Sequence, residues 1–287
     1  MKKMNLFLLV FLAASSLSCG ESDLLDDYIV KAPRALAVRV QDPEVQPGDS
    51  VSMKLLVGGR NVDQSMDETV SWFFYDGQAS LVGTAGYNQD FIAQIPDDIL
   101  DDEAQWIDLI ILATVQIGSK SVTAEKNVRI TQHPIGKNPV VGGVQIAYLE
   151  EGQLETAEVL GGDRVEMAPQ VKNIAVTALT DQLAPGENDR LIFRWYVSAS
   201  KNSGGKLYIN NDKEVAADLL GPGADASETK ESAVFSLRGE PDERSTQTGI
   251  YDVYLVVRDN ATTSESDADD RFGTDFIYFT LCVNNEC

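Results

Sequence analysis

Apolar and polar residues alternate with a period of two along most of the chain, and long helical periodicity is nearly absent. In residues 69–75, for example, Val70, Trp72 and Phe74 fall on one face of a strand. The alternation predicts strands at 35–40, 50–57, 69–75, 106–117, 121–130, 144–149, 171–178, 191–197, 233–237, 250–257 and 275–281. The pattern therefore predicts an all-β protein.

A break in the strand pattern divides the chain in two. Residues 133–139 hold two prolines and a glycine, which are typical of a linker. The strand pattern begins again after it, and Trp72 and Trp195 take equivalent places in the third strand of each half. We therefore predict a first domain at 33–132, a linker at 133–139 and a second domain at 140–287.

The strand order and one corner motif resemble those of immunoglobulin-like domains. A tryptophan on the third strand can fill the space between two packed sheets. Residues 247–253 resemble the tyrosine corner of that family, with Tyr251 at the tyrosine position, and 251–259 resemble the end of polycystic-kidney-disease-type repeats. In the first half, Trp106 stands where the tyrosine would be. The resemblance implies two tandem immunoglobulin-like β-sandwich domains; another Greek-key or jelly-roll fold is the alternative.

The N-terminus has the features of an export signal. Lys2 and Lys3 precede an apolar run at 6–14, about half of the ~20 residues that span a bilayer. Residues 15–19 resemble the lipobox of bacterial lipoproteins, although Ser16 replaces the usual leucine. The resemblance implies a signal peptide at 1–18, lipidation (palmitate) of Cys19 and, because Gly20 follows, the outer membrane. Ordinary secretion with a free Cys19 thiol is the alternative.

The segment after Cys19 and the other two cysteines complete this interpretation. Residues 19–32 are predicted to form an acidic, solvated tether. If Cys19 carries lipid, Cys282 and Cys287 are left, and an oxidising compartment would allow a disulfide between them. Two reduced thiols at the C-terminus are the alternative.

Charge and motif content argue against several classes of function. The net charge of −22 would repel nucleic acids and anionic lipid head groups. Residues 221–226 have the glycine spacing of a dinucleotide site, but no strand leads into them, so no nucleotide is expected. The single histidine, His133, lies in the linker, where nothing would position it as a general base. No catalytic residue is predicted, and the chain is not expected to be an enzyme.

An acidic connection between the last two predicted strands is a candidate calcium site, since carboxylates are the oxygen ligands that calcium prefers. The candidate ligands are Asp259, Asp267, Asp269, Asp270 and Asp275. Their spacing matches neither an EF-hand nor an RTX repeat, and a solvated acidic loop is the alternative. No other cofactor is expected.

One face of the second domain is predicted to bind a protein or a glycan. If Trp195 and Tyr251 point into the core, then Arg194, Tyr196, Tyr254 and Tyr278 point outward on three adjacent strands. Exposed aromatic side chains give rigid contact area at low entropic cost. The alternative is that these tyrosines only stabilise the sheet or are covered by the insertion at 199–231.

These features together favour a non-catalytic envelope lipoprotein that serves recognition, adhesion or scaffolding at the outer membrane. A periplasm-facing accessory subunit or envelope-assembly protein is the alternative.

Overall fold

The computed structural model describes most of the chain beyond the predicted tether. The described residues are 28–60, 62–75, 79–100, 105–134, 138–168, 170–181, 189–198, 206–210, 212–224, 226–227, 230–238, 249–261 and 273–283. The predicted signal peptide and Cys19 lie outside them. Within the described ranges, no helix has the length and apolar character needed to cross a bilayer.

The first domain is a sandwich of two sheets. Its strands are β2 (Arg34–Val40), β3 (Glu44–Val45), β4 (Ser50–Gly58), β5 (Thr69–Tyr75), β6 (Ala79–Gly86), β7 (Phe91–Gln94), β8 (Trp106–Ile117) and β9 (Lys120–Thr131). One sheet has the order β2-β4-β7 and the other β3-β9-β8-β5-β6. Trp72 of β5 lies fully buried between them, stacked on Phe91.

The second domain is a sandwich of two five-stranded sheets with one short helix. Its elements are β10 (Val140–Glu150), β11 (Gln153–Val159), β12 (Arg164–Met167), β13 (Asn173–Asp181), β14 (Asp189–Ser198), β15 (Lys206–Ile209), α1 (Lys213–Leu220), β16 (Ser232–Arg238), β17 (Gly249–Ala261) and β18 (Thr274–Val283). The sheet orders are β11-β10-β13-β16-β15 and β1-β14-β17-β18-β12, where β1 is Ile29–Val30. Trp195 of β14 is buried between these sheets.

The alternation of the sequence explains why these segments form strands around two cores. In β8, Leu109, Ile111, Ala113 and Val115 are buried, and the residues between them are more exposed. Every second side chain of a strand points to the same face, so one face of β8 packs into the sandwich. The predicted all-β class with two tandem immunoglobulin-like β-sandwich domains is confirmed.

Strand β1 differs from the prediction for its segment. Ile29 pairs in parallel with Val197 of β14, and Val30 is buried. The Tyr28 hydroxyl accepts a hydrogen bond from the backbone N–H of Ile209 at 3.0 Å. The solvated tether predicted for 19–32 is thus wrong for Tyr28–Val30, because these apolar side chains bury themselves at the edge of the second domain.

Helix α1 was not predicted either. Asp212 caps its N-terminus by accepting a hydrogen bond from the Glu214 N–H at 2.9 Å, and Gly221 ends it with a φ of +100°. Its residues Ala216 and Leu219 pack on the outer face of the sheet that holds β13 and β16. Gly221 therefore follows a helix rather than leading into one.

Candidate functional site

The three predicted tyrosines form one row across the second domain. Tyr196 of β14 pairs with Tyr254 of β17, and Tyr254 pairs with Tyr278 of β18. The predicted juxtaposition is therefore confirmed. The expectation that this face is exposed is wrong, because Tyr254 is 0% exposed and packs in an apolar cluster against which Tyr196 and Tyr278 are partly buried.

The first domain covers this row. Leu36 and Ala37 of β2 and Leu56 of β4 are buried in the same cluster as Tyr254, together with Val30 of β1. A strand that is apolar on both faces reads as a continuous apolar run. Residues 36–38, 55–57 and 253–257 are such runs, and they are the sequence signal that could have indicated the contact between the domains.

Tyr254 fits closely against the first domain. A Cβ atom added at Gly58 would lie 3.3 Å from the Tyr254 ring, so a glycine allows the approach. Burial raises the pKa of Tyr254 well above its usual range, and the Asp252 carboxylate raises it further. The phenol is therefore held in its neutral form.

A second buried tyrosine lies on the first domain's side of this contact. The backbone N–H of Val57 donates to the Tyr87 hydroxyl at 2.9 Å, and that hydroxyl donates to Gln64 Oε1 at 2.8 Å. Burial raises the pKa of Tyr87 far above its usual range. Burial and the Asp252 and Asp63 carboxylates also raise the pKa of Tyr278.

Arginines of the first domain pack on the same aromatic face. The Arg34 guanidinium lies 5.3 Å from the centre of the Tyr196 ring, and that of Arg39 lies 5.4 Å from the centre of the Phe276 ring. These distances are in the range of cation–π contacts. Arg194, the arginine predicted for this face, has an exposed side chain. Sequence reasoning missed Arg34 and Arg39 because they come from the other domain.

Asp275, a predicted calcium ligand, joins the two domains instead. Its Oδ1 accepts a hydrogen bond from Arg39 Nη1 at 3.1 Å, and its Oδ2 accepts one from the Val141 N–H at 2.9 Å. Both carboxylate oxygens of Asp275 are engaged by protein donors, which argues against a role as a calcium ligand, and the calcium site stays a prediction. The side chain of Asp259 and all of Asp267, Asp269 and Asp270 lie outside the described residues.

The end of the linker is fixed beside Asp275. Asn138 Nδ2 donates to the carbonyl oxygens of Val40 and Gln41, and Asn138 Oδ1 accepts from the Thr274 N–H at 2.9 Å. The Thr274 hydroxyl accepts from Lys126 Nζ at 3.1 Å. We call these contacts of Asn138 and Thr274, the Asp275–Arg39 ion pair and the tyrosine row together the domain interface.

Tyr251, at the tyrosine position of the predicted corner motif, packs closely in the second domain. Tyr251 is buried in the second core, and a Cβ atom added at Gly249 would lie 2.7 Å from its ring. In the first domain Trp106 is 41% exposed, and the Arg129 guanidinium lies 3.7 Å from its ring centre. Arg129 also forms a bidentate ion pair with Asp108, with distances of 2.8 and 3.1 Å.

Three further residues were singled out by the sequence: Cys282, Cys287 and His133. Cys282 is buried near the end of β18, and Cys287 lies outside the described residues, so their disulfide stays a prediction. His133 is exposed. Among the described residues, no group of three or more histidine, cysteine, aspartate or glutamate side chains could hold a metal ion.

Comparisons with known proteins give only remote likenesses. No protein-family model matches the chain, and no curated protein matches it. Among solved structures, "Crystal Structure of Human Protocadherin-24 EC1-2" has 8% sequence identity and a TM-score of 0.24, covering 89% of this chain and 99% of that one. "Structure of mouse clustered PcdhgC3 EC1-3" has 13% identity and a TM-score of 0.22, covering 86% and 68%. At these TM-scores the likenesses carry no argument about function.

Proposed function

We propose that this chain is a non-catalytic envelope lipoprotein in which two immunoglobulin-like domains act as one rigid unit for recognition, adhesion or scaffolding at the outer membrane. The observation that carries the proposal is the domain interface. Domains in one chain move relative to each other unless their contact is large and apolar. Here a buried aromatic row, an ion pair and a hydrogen-bonded linker join them.

A rigid pair of domains suits a binding or spacer role. Fixing the relative orientation beforehand reduces the entropy that is lost when a partner is bound. It also presents loops and sheet edges of both domains to one partner in a constant arrangement. Two domains joined by a flexible linker would instead lose orientational entropy each time they bind a partner.

The position of β1 supports a membrane-proximal second domain. Tyr28 is attached to the sheet of the second domain through its backbone carbonyl, which accepts from the Val197 N–H at 2.8 Å. With lipid on Cys19, a fully extended chain would place Tyr28 at most about 30 Å from the anchored residue. The second domain's β14 edge would therefore stay close to the membrane.

Two experiments test the proposal. Metabolic labelling with an alkyne fatty acid should label the wild type and not Cys19→Ser; equal labelling of both would contradict lipidation at Cys19.

Protease shaving of intact cells, followed with an antibody to the second domain and with a periplasmic control protein, then decides whether the second domain is exposed on the cell surface. Loss of the domain from intact cells supports adhesion or recognition at the surface. Protection until the outer membrane is broken favours the periplasm-facing accessory role. Turnover of any member of a polysaccharide panel would contradict a non-catalytic role.

A further inference from the structure

Strand β11 forms a long and regular edge of the second domain. Among the described residues it pairs only with β10, over all seven of its positions and without a bulge. The side chains of 153–156 and of Glu158 are exposed. Such an edge offers a row of backbone N–H and C=O groups to another chain.

The other edges of the described sheets are shorter or interrupted. Strand β1 has two residues and β12 has four, and β6 is interrupted by a register shift opposite Trp72 and Phe73. Short length, bulges, proline and charged side chains, lysine especially, are the usual protection of sheet edges. The sequence of β11, Gln-Leu-Glu-Thr-Ala-Glu-Val, has no proline and no lysine.

The negative charge around β11 favours a basic partner strand over a second copy of this edge. Glu155 and Glu158 lie on the strand, and Glu150 and Glu151 lie at the hairpin turn before it. Glu155 is the cross-strand partner of Tyr148, whose pKa is raised by burial and then by the Glu150 and Glu155 carboxylates. Like charges on paired strands destabilise the pairing and opposite charges stabilise it. A second copy of this edge is therefore disfavoured, and a basic strand is favoured.

The outer face beside β11 adds an apolar surface. Leu149 and Leu154 are cross-strand partners that are 40% and 51% exposed. Next to them, Thr156 lines a cavity of about 360 Å³ whose other walls include Leu219 and Leu220 of α1. An added strand would place every second side chain over this face.

We propose that β11 accepts an extended, basic segment of a partner protein as a further strand of its sheet. Lysine or arginine side chains of that segment pair with Glu155 on one face of the sheet and with Glu158 on the other, and an apolar side chain packs on Leu154. Backbone pairing supplies affinity, and the alternating side chains supply specificity. The inference rests on the proposed recognition function and names the class of partner.

Fluorescence anisotropy with synthetic peptides tests the inference on the full mature chain. The probe is a fluorescein-labelled nine-residue peptide of lysine, threonine and valine, and the comparison peptide has glutamate in place of every lysine. We expect the lysine peptide to bind at least about tenfold more tightly. The double variant Glu155→Lys/Glu158→Lys should reverse this preference. Asp67→Lys/Asp98→Lys makes the same change of charge at exposed sites in the first domain and should keep it.

Three results would overturn the inference. The first is an equal loss of binding in the Asp67→Lys/Asp98→Lys control, which would show general charge attraction. The second is unchanged binding of a lysine peptide with N-methylated alternate amides, which cannot pair as a strand. The third is a dimer of the wild type in sedimentation that Glu155→Lys/Glu158→Lys alters, which would make a second copy the occupant. None of these outcomes changes the labelling and shaving results, so the two proposals fail separately.

Discussion

Truncation of Tyr254 to alanine tests the domain interface most directly. Tyr254 is fully buried between the domains, although it lies on the outer face of its own sheet. If the first domain covers it, the substitution leaves a cavity. If the domains were separate, the same side chain would stand on an exposed sheet face.

The two situations predict different losses of stability. Truncating a buried aromatic side chain costs about 3–5 kcal/mol of unfolding free energy. Substitutions at exposed strand positions span only about 1 kcal/mol. Tyr75, which is 42% exposed at the end of β5, provides the matched control. We expect Tyr254→Ala to lose at least about 2 kcal/mol more than Tyr75→Ala, given these ranges.

Urea unfolding at pH 7, followed by tryptophan fluorescence, measures the difference. Trp72 and Trp195 lie in separate cores, so their emission reports the unfolding of both domains. Equal losses for Tyr254→Ala and Tyr75→Ala would refute the reasoning, because the row would then be solvent-exposed.

The remaining predictions concern pH, Asp275 and the corner glycine. Because the pKa of the two buried interface tyrosines is raised in the fold, they stay protonated there and ionise in the unfolded chain near their ordinary value of about 10. Stability should be complete below about pH 10 and fall above it by about 1.4 kcal/mol per pH unit for each tyrosine, measured by urea unfolding. Asp275→Ala should lower the unfolding free energy by about 1–3 kcal/mol, since it removes the acceptor for Arg39. Asp275→Asn should leave any calcium binding unchanged in calorimetric titration. Gly249→Ala should lower the unfolding free energy by about 1–3 kcal/mol, because its methyl group meets the Tyr251 ring. Gly142→Ala should lower it less, since the added Cβ would lie 3.6 Å from its nearest neighbouring atom.

Each of these predictions has a clear contrary result. Phenolate absorbance that rises fully before any unfolding would show that the interface tyrosines are open to solvent. Calcium binding by the wild type that Asp275→Asn abolishes would restore Asp275 as a ligand. Equal melting temperatures for Gly249→Ala and Gly142→Ala would mean that the Tyr251 ring moves aside without cost.

The sequence predicted the strands of both sandwiches well where the alternation is strong. Trp72 and Trp195 lie in the two cores, and the row Tyr196–Tyr254–Tyr278 has the predicted register. The sequence pattern did not predict short or polar elements such as β1, β11 and α1. β1 and α1 are too short for a periodic signal and β11 is too polar for one, and the place of each depends on the partners that it pairs with or packs on.

Local patterning thus determined the strands, their inward faces and the division into two halves, because a strand's period of two depends only on its own residues. The tertiary structure alone decided that the outward tyrosines are covered and that Asp275 binds Arg39. Both outcomes depend on β2 and β4 approaching strands that lie far later in the chain; Arg39 and Asp275, for example, are 236 positions apart. The apolar runs in these segments indicate strands that are covered on both faces, but they do not specify which segment covers which, because that depends on how the two domains pack together.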